Sequence, residues 1–102
     1  MKSITVEAVK NFNSASSFKK SNTQVEVLPN VTVLKLFGNE IAYKYNDPQN
    51  TLSITTAGYK INTTKELLNG LSNVNISQSK GIWYLNGLEW DGKLIDIKTN
   101  KK

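Results

Sequence analysis

Apolar and polar side chains alternate between residue 23 and residue 56, and this alternation constrains the fold more than any other feature of the sequence. A period of two is typical of β-strands that bury one face. Clusters of turn-forming residues interrupt the alternation at Pro29-Asn30, at Gly38-Asn39 and at 46–50. The pattern therefore predicts four strands that follow one another as an antiparallel meander, at 23–28, 31–37, 40–45 and 51–56.

The turn at Gly38-Asn39 predicts the register of the central hairpin. A two-residue turn there places Phe37 opposite Glu40, because the residues that flank such a turn form the first pair. One face of the sheet then carries Leu36 with Ile41, Leu34 with Tyr43, and Thr32 with Tyr45. The other face carries Phe37, Lys35 and Val33 with Glu40, Ala42 and Lys44. This register places both tyrosines on the apolar face, which Val25, Val27, Leu52 and Ile54 extend onto the neighbouring strands.

Residues 3–13 fit two patterns. Ile4, Val6 and Ala8 alternate as in a strand, whereas Thr5, Ala8, Val9 and Phe12 have the spacing of one helix face. We favour a short helix with Ser3 as its N-cap residue. Residues 14–22 follow as a polar connector with the composition of a flexible segment, in which Phe18 is the apolar anchor.

A second helix is predicted near 63–71. Thr63 and Glu66 have the spacing of a capping box, in which each side chain accepts a hydrogen bond from a backbone amide of the first turn. Leu67, Leu68 and Leu71 form a narrow apolar stripe behind that cap. The sequence thus predicts one capped helix after the meander.

The strongest hairpin signal in the last third of the chain is Asn86-Gly87, because both residues tolerate the positive φ angles of a type I′ turn. Pairing outward places Leu85 opposite Leu88, Tyr84 opposite Glu89, and Trp83 opposite Trp90. The two tryptophans then meet on the face that carries both leucines. Asp91-Gly92 predicts a further turn, and Leu94, Ile95 and Ile97 predict a final strand.

These segments together predict an α+β fold. Its antiparallel sheet combines a β-meander with a C-terminal hairpin, and it has a short N-terminal helix and a capped helix near 63–71. The 102 residues have the length of one domain, which we place at 1–102 with a flexible tail at 99–102. The sheet edges need pairing or protection, which favours a homo-oligomer.

The residue types that the sequence lacks exclude several kinds of chemistry. The chain has no cysteine, histidine or arginine, so all 13 basic residues are lysines, and the net charge is +5. Disulfides, thiolate zinc sites and imidazole bases are therefore excluded. The nearest carboxylate pair, Glu89 and Asp91, has no third ligand close in sequence. We expect a protein that is not an enzyme and that needs no cofactor or metal.

Two stretches of the sequence resemble a known family. They are GYKINTTKELLN at 58–69 and GIWYLNGLEWDG at 81–92. Together they resemble a family of small, largely uncharacterised tailed-bacteriophage proteins, with a TTKxxLN helix start and a GxWYLNGxxWDG hairpin. Tyr59 stands where that family has tryptophan, and Leu67 stands where it has arginine. The resemblance implies a phage protein that acts in the cytoplasm of a host bacterium, and it implies no particular activity.

Membrane association is not expected. Glu7 and Lys10 interrupt the first residues, so no apolar core of a signal peptide lies there. No stretch approaches the roughly 20 apolar residues that a membrane-spanning helix needs. These observations agree with the host cytoplasm as the site of action.

The start of the second helix is the candidate binding site. A helix N-terminus presents unpaired amides, so Lys60, Thr63, Thr64 and Lys65 could hold a phosphate there while Tyr59 stacks on a base. In the alternative interpretation, Thr63 and Glu66 satisfy the amides, Tyr59 packs in the core, and the lysines are solvated. The site is therefore a hypothesis about an anionic ligand or a nucleotide.

Two aromatic motifs suggest nucleic-acid binding more weakly. Exposed aromatic rings beside lysines bind single strands, but the hairpin register favours a core position for Trp83 and Trp90. In Tyr43-Lys44-Tyr45, strand alternation places the lysine on the face opposite both tyrosines. Neither motif is favoured as a binding site.

The sequence therefore favours a non-enzymatic phage protein that counters or redirects a host system, such as a defence system, by sequestering a target. The target is either a host protein or a nucleotide signal. A lysine-driven nucleic-acid-binding accessory protein and a structural virion component are the alternatives. Salt dependence separates them, because binding to a polyanion weakens steeply as salt rises.

Overall fold

The computed structural model describes residues 3–48, 51–58, 60–71 and 73–97. Within them, the chain forms two helices, α1 at Ser3–Asn13 and α2 at Asn62–Asn69. The strands in these residues are β1 at Phe18–Lys20, β2 at Thr23–Val27, β3 at Val31–Leu36, β4 at Asn39–Tyr45, β5 at Leu52–Ile54, β6 at Ile76–Ser79, β7 at Ile82–Leu85, β8 at Leu88–Glu89 and β9 at Ile95–Ile97. The predicted tail at 99–102 lies outside the described residues.

The strands form two antiparallel sheets. The larger sheet has six strands in the order β1-β2-β3-β4-β5-β9, and the smaller has three in the order β6-β7-β8. Strands β2 to β5 are the predicted meander, and β7 with β8 is the predicted C-terminal hairpin. The α+β fold class is therefore confirmed.

The hydrophobic core lies on one face of the six-stranded sheet. Val25, Leu34, Ala42 and Ile54 are cross-strand neighbours on that face, and each is 1% exposed or less. The helices and the smaller sheet pack against the same face, because the core cluster includes Phe12, Leu67, Leu68, Trp83, Leu85 and Trp90. Burial of these large side chains is the main stabilising term of the fold.

Helix α1 confirms the predicted helical face. Thr5, Ala8 and Phe12 are buried, and Val9 packs against the core. The helix begins at Ser3, which the sequence predicted as its N-cap residue. At the other end, the Lys44 Nζ donates a hydrogen bond of 2.5 Å to the carbonyl oxygen of Asn13. A lysine at this end complements the partial negative charge of the helix C-terminus.

The predicted connector at 14–22 contains strand β1. Residues Phe18–Lys20 pair with β2, and Phe18 lies opposite Val25. Phe18 is partly buried against the core, as expected of the apolar anchor of this segment. The segment is thus one edge of the larger sheet.

The predicted capping box of α2 is wrong. The N-cap residue is Ile61, which makes no side-chain capping hydrogen bond, and Thr63 lies inside the first turn. The helix ends at Asn69 instead of Leu71. The physical reason is packing. Thr64 lies three residues before Leu67 and four before Leu68, so the three side chains share one helix face, and all three are buried.

The predicted register of the β3–β4 hairpin is also wrong. The two-residue turn is Phe37-Gly38, with φ angles of 54° and 79°, so Leu36 faces Asn39 and Lys35 faces Glu40. Between Leu34 and Lys35 the register shifts by one residue, because Ile41 is an extra, bulged residue in β4.

This bulge exchanges the two faces of β4. Leu34 pairs with Ala42 instead of Tyr43, and Tyr43 pairs with Val33. Tyr43 and Tyr45 therefore lie on the face opposite the core, while Ala42 and Lys44 lie on the core side. Ile41 itself is buried, and its carbonyl oxygen accepts a hydrogen bond from the Thr55 amide at 2.9 Å.

The register of the C-terminal hairpin is confirmed. Leu85 pairs with Leu88 and Tyr84 with Glu89, and the Trp90 amide donates a hydrogen bond of 2.9 Å to the Trp83 carbonyl. Both tryptophans are buried, whereas Leu88 at the tip is 74% exposed. Strand β6, which the sequence analysis did not predict, joins β7 through a second tight turn at 80–81.

Candidate functional site

The residues predicted to bind an anion lie in different environments in the structure. Tyr59 lies outside the described residues. Lys60 is exposed and Thr63 is half-buried, whereas Thr64 is 0% exposed. The Lys65 Nζ donates a hydrogen bond to Gln78 Oε1 at 3.1 Å.

Lys65 and Thr64 are instead part of the packing between α2 and its surroundings. The Lys65 Nζ lies 5.9 Å from the ring centroid of Trp83, which is within the range of a cation–π interaction. The Thr64 hydroxyl has no hydrogen-bond partner among the described residues. The lysine thus joins the helix to the smaller sheet.

Two asparagines of the family-like motifs also connect structural elements. The Asn69 side chain accepts a hydrogen bond from the Ile76 amide at 2.6 Å and donates one to the Ile76 carbonyl at 3.1 Å. Asn86 accepts a hydrogen bond from the Asn75 amide at 2.9 Å. These contacts join α2 to β6 and the hairpin tip to the loop before β6, so the motif residues stabilise the fold.

The turn at 90–92 is hydrogen-bonded to the residues that directly follow β5. Trp90 Nε1 donates a hydrogen bond to the Lys93 carbonyl at 3.0 Å, and Asp91 Oδ1 accepts one from the Lys93 amide at 3.0 Å. The Gly92 carbonyl accepts hydrogen bonds from the Thr56 amide at 2.9 Å and from the Thr55 hydroxyl at 3.0 Å. The end of the hairpin motif, at 90–92, therefore also stabilises the fold.

The second face of the six-stranded sheet is the candidate functional site. We call it the open face, because the core cluster that the helices and the smaller sheet form lies on the opposite face. The strand registers place eleven residues on it: Lys19, Gln24, Glu26, Val31, Val33, Lys35, Glu40, Tyr43, Tyr45, Ser53 and Asp96.

The centre of the open face is aromatic and apolar. Tyr43 and Tyr45 stack with their ring centroids 6.2 Å apart and their planes 21° apart. Across the strand pair, Tyr43 faces Val33 and Tyr45 faces Val31. Val33 is only 2% exposed although it lies outside the core cluster. The centre of the face therefore combines a buried valine with two partly exposed tyrosine rings.

Charged and polar pairs surround this centre. The Lys35 Nζ lies 2.7 Å from Glu26 Oε1, and the hydrogen bond between them raises the pKa of the Lys35 ammonium. On the far side, the Ser53 hydroxyl donates a hydrogen bond to Asp96. An apolar centre with a polar rim is the usual anatomy of a protein-binding patch.

Glu40 is the carboxylate nearest to the aromatic pair. The Tyr43 hydroxyl donates a hydrogen bond of 2.6 Å to Glu40 Oε1. This hydrogen bond, with smaller contributions from burial and from the Glu40 charge, raises the pKa of Tyr43 to about 12. The phenol therefore stays protonated and keeps donating to Glu40 throughout the physiological pH range.

We expect the Tyr43 phenol to ionise well above the ordinary tyrosine pKa of 10.0. Its raised pKa means that the folded state holds the phenol proton more tightly than the unfolded state, whose tyrosine pKa is 10.0. The stabilisation from this group is complete below pH 10 and is lost as the pH rises through about 12. A pH titration of the tyrosine ring carbons by NMR measures this pKa, and Glu40→Gln should lower it; an unchanged value would contradict the assigned cause.

The carboxylate pair Glu89 and Asp91 has the structure of a surface turn. Both residues are exposed, and Asp91 Oδ2 lies 4.0 Å from the Lys93 Nζ. Among the described residues, no group of three or more side chains is placed to hold a metal ion. No helix in the described part of the chain is long and apolar enough to cross a membrane.

Sequence reasoning missed Tyr43, Tyr45 and Glu40 as one site. The two tyrosines are two residues apart in a strand, which signals a shared face, but the assumed turn at Gly38-Asn39 placed that face in the core. The actual turn at Phe37-Gly38 would not by itself have separated the tyrosines from the core residues, because it shifts the pairing by two residues and leaves Tyr43 on the same face. The bulge at Ile41 separates them, and no local pattern in the sequence indicates it.

The family model of the Kyanoviridae Gp96 protein matches residues 1–100, which is almost the whole chain. No curated protein and no solved structure matches the sequence. The chain belongs to the Kyanoviridae Gp96 family, and Kyanoviridae is a phage family.

Proposed function

We propose that this member of the Kyanoviridae Gp96 family is a non-enzymatic binding protein that counters or redirects a host system by sequestering a host protein on its open face. The observation that carries the proposal is the stacked pair of Tyr43 and Tyr45, which lies beside Val31 on a sheet face outside the core. Tyrosine is enriched among the residues that supply most of the energy of protein interfaces. We place this action in the cytoplasm of the host bacterium.

The charge of the open face favours a protein over a polyanion as its partner. Among its described residues, the face carries three carboxylates, Glu26, Glu40 and Asp96, and two lysines, although the whole chain has a net charge of +5. Phosphates would be repelled next to the aromatic pair, because Glu40 lies directly beside it. The described residues of the face therefore do not form the positive groove that holds single-stranded nucleic acid.

A nucleotide signal is the less favoured target. The residues proposed to hold its phosphate include Thr64, which is fully buried, and Lys65, which contacts Gln78 and Trp83. Their polar groups would have to be released from these positions before they could reach a ligand. We therefore retain the nucleotide as an outcome of the experiment below.

Affinity capture from host lysate tests the proposal. The wild-type chain should retain a host protein at physiological salt, and Tyr43→Thr with Tyr45→Thr should weaken this binding by about 30-fold or more, since anchors of this type contribute about 2 kcal/mol or more. Threonine keeps the strand propensity of these positions. Leu88→Thr is the matched control, because it removes a side chain that is 74% exposed at the hairpin tip, away from the open face.

Each result of the capture experiment bears on the proposal. Retention of the same protein by wild type and by Leu88→Thr, but not by the tyrosine variant, supports it. Equal retention by the tyrosine variant, or no retained host protein, contradicts it. Nucleic acid that is retained and then lost as salt rises would favour the nucleic-acid-binding alternative, and retention of phage structural proteins would favour a virion component. A thermal shift with nucleotides that survives salt would favour the nucleotide target.

A further inference from the structure

We propose that the open face recognises an arginine side chain of the host protein, which binds against the rings of Tyr43 and Tyr45 and pairs with the Glu40 carboxylate. This inference rests on the proposed function, because it names the chemistry of the partner at the same face. It follows from three observations, which concern the rings, the carboxylate and the charge of the face.

The aromatic pair supplies a surface that attracts cations. Tyr43 and Tyr45 stack with an interplanar angle of 21°, so the two rings present a nearly parallel π surface. A cation above the face of such a ring is attracted by the ring quadrupole. Tyr45 is 37% exposed, so this surface can be reached from solvent.

The Glu40 carboxylate is held beside the rings and makes no ion pair with the described residues. The Tyr43 hydroxyl fixes its position through the hydrogen bond of 2.6 Å. Lys35 faces Glu40 across the strand pair, but the Lys35 Nζ is 2.7 Å from Glu26 instead. Within the described part of the chain, no ion pair with a nitrogen–oxygen distance of 4.0 Å or less involves Glu40. Its exposed carboxylate is therefore available to a cation of the partner.

The charge of the open face selects a basic partner. The chain as a whole has a net charge of +5, yet among the described residues of this face carboxylates outnumber lysines by three to two. A cationic group that approaches Tyr43 and Tyr45 gains from Glu40, because the neighbouring Lys35 makes its ion pair with Glu26 and interacts with Glu40 only at longer range. Charge complementarity thus favours a basic side chain at the aromatic pair.

Arginine fits this arrangement better than lysine. Its planar guanidinium stacks on an aromatic ring and also offers parallel donors to a carboxylate. A lysine ammonium is a more strongly hydrated point charge, and it can satisfy only one of these two contacts well. Rings and carboxylate lie side by side here, so both contacts can be made by one guanidinium.

NMR titration with short peptides tests the inference directly. The probes are acetyl-Gly-Arg-Gly-amide, its lysine analogue and its citrulline analogue, which has the shape of arginine without the charge. The arginine peptide should shift the ring signals of Tyr43 and Tyr45 and saturate at millimolar concentration, the lysine peptide should bind more weakly, and the citrulline peptide should cause no saturable shift. Glu40→Gln should weaken arginine binding roughly five- to tenfold.

Glu89→Gln is the control, because it makes the same change at an exposed carboxylate in β8 of the smaller sheet and leaves the aromatic pair intact. This variant should bind the arginine peptide as the wild type does. Equal shifts with citrulline, unchanged affinity in Glu40→Gln, or shifts that map outside the open face would each overturn the inference.

The two proposals fail in different ways. If the tyrosine variant loses the captured host protein while Glu40→Gln retains it fully, the host-protein proposal stands and the arginine inference is wrong. If the arginine peptide binds as described but no host protein is retained, the site is real and the proposed function is wrong.

Discussion

Replacing Gly92 with alanine should destabilise the protein by about 2 to 5 kcal/mol, which combines the typical cost of a strained backbone angle with that of an overpacked site. Gly92 has a φ angle of +90°, where side chains with a Cβ are strained. An added Cβ would also lie 2.5 Å from Thr56 Oγ1 and 3.2 Å from its Cγ2. Relief of this contact would move the Gly92 carbonyl away from the donors of Thr55 and Thr56.

Gly87→Ala separates the cost of backbone strain from the cost of overpacking. Gly87 has a nearly identical φ of +89°, but an added Cβ would meet no atom within 4 Å. We therefore expect Gly87→Ala to lower the stability by about 1 to 2 kcal/mol, through backbone strain alone. Urea unfolding of both variants measures the difference. Equal losses of stability would contradict the close packing of Gly92 against Thr56.

A large loss of stability in Gly92→Ala would explain why the hairpin motif ends in glycine. This glycine is needed where the chain returns from the smaller sheet to β9, the last strand of the larger sheet. Trp90 and Asp91 fix the same turn through Lys93. The hairpin motif of the sequence therefore holds two sheets together, and the open face that we propose as the binding surface lies elsewhere.

Local signals were sufficient for the elements that the sequence predicted correctly. The turn at Asn86-Gly87 contains two residues that accept positive φ, and no neighbouring pair competes with it, so its register followed directly. Helix α1 was identified because Ala8, Val9 and Phe12 recur at the helical spacing. In both cases the controlling interactions lie within a few residues of each other.

The β3–β4 register could not be derived in the same way. Its turn places Phe37 at a φ of 54°, which is unusual for an aromatic residue, and Asn39 offered a more ordinary alternative beside Gly38. The bulge at Ile41 is held by a hydrogen bond from the amide of Thr55, the residue directly after the next strand, β5. A tertiary contact therefore decided which face Tyr43 occupies, and with it the position of the candidate site.

Strand β6 and the start of α2 likewise could not be predicted correctly from local sequence signals. Ser77, Gln78 and Ser79 are polar and exposed, so β6 carries no alternating apolar signal and forms because it pairs with β7. Thr64 was expected at the surface of a helix start, yet it continues the spacing of Leu67 and Leu68 into the core. Packing of α2 against the rest of the molecule decided this orientation over the capping preference.

The largest effect at a single side chain is expected for Trp83→Ala, which should cost about 3 to 5 kcal/mol of stability, as is typical of large aromatic residues removed from a core. Trp83 is 3% exposed, lies opposite Trp90 in the hairpin and carries Lys65 above its ring. Ile82→Ala is the matched control, because Ile82 is the preceding residue of the same strand and is 41% exposed, so it should cost about 1 kcal/mol or less. Thermal unfolding followed by tryptophan fluorescence measures both losses, and peptide binding at the open face below the unfolding transition should be unchanged in each variant. A Trp83→Ala variant of normal stability that loses binding to single-stranded nucleic acid would instead assign this ring to a binding site, and the structural role of the motif would be wrong.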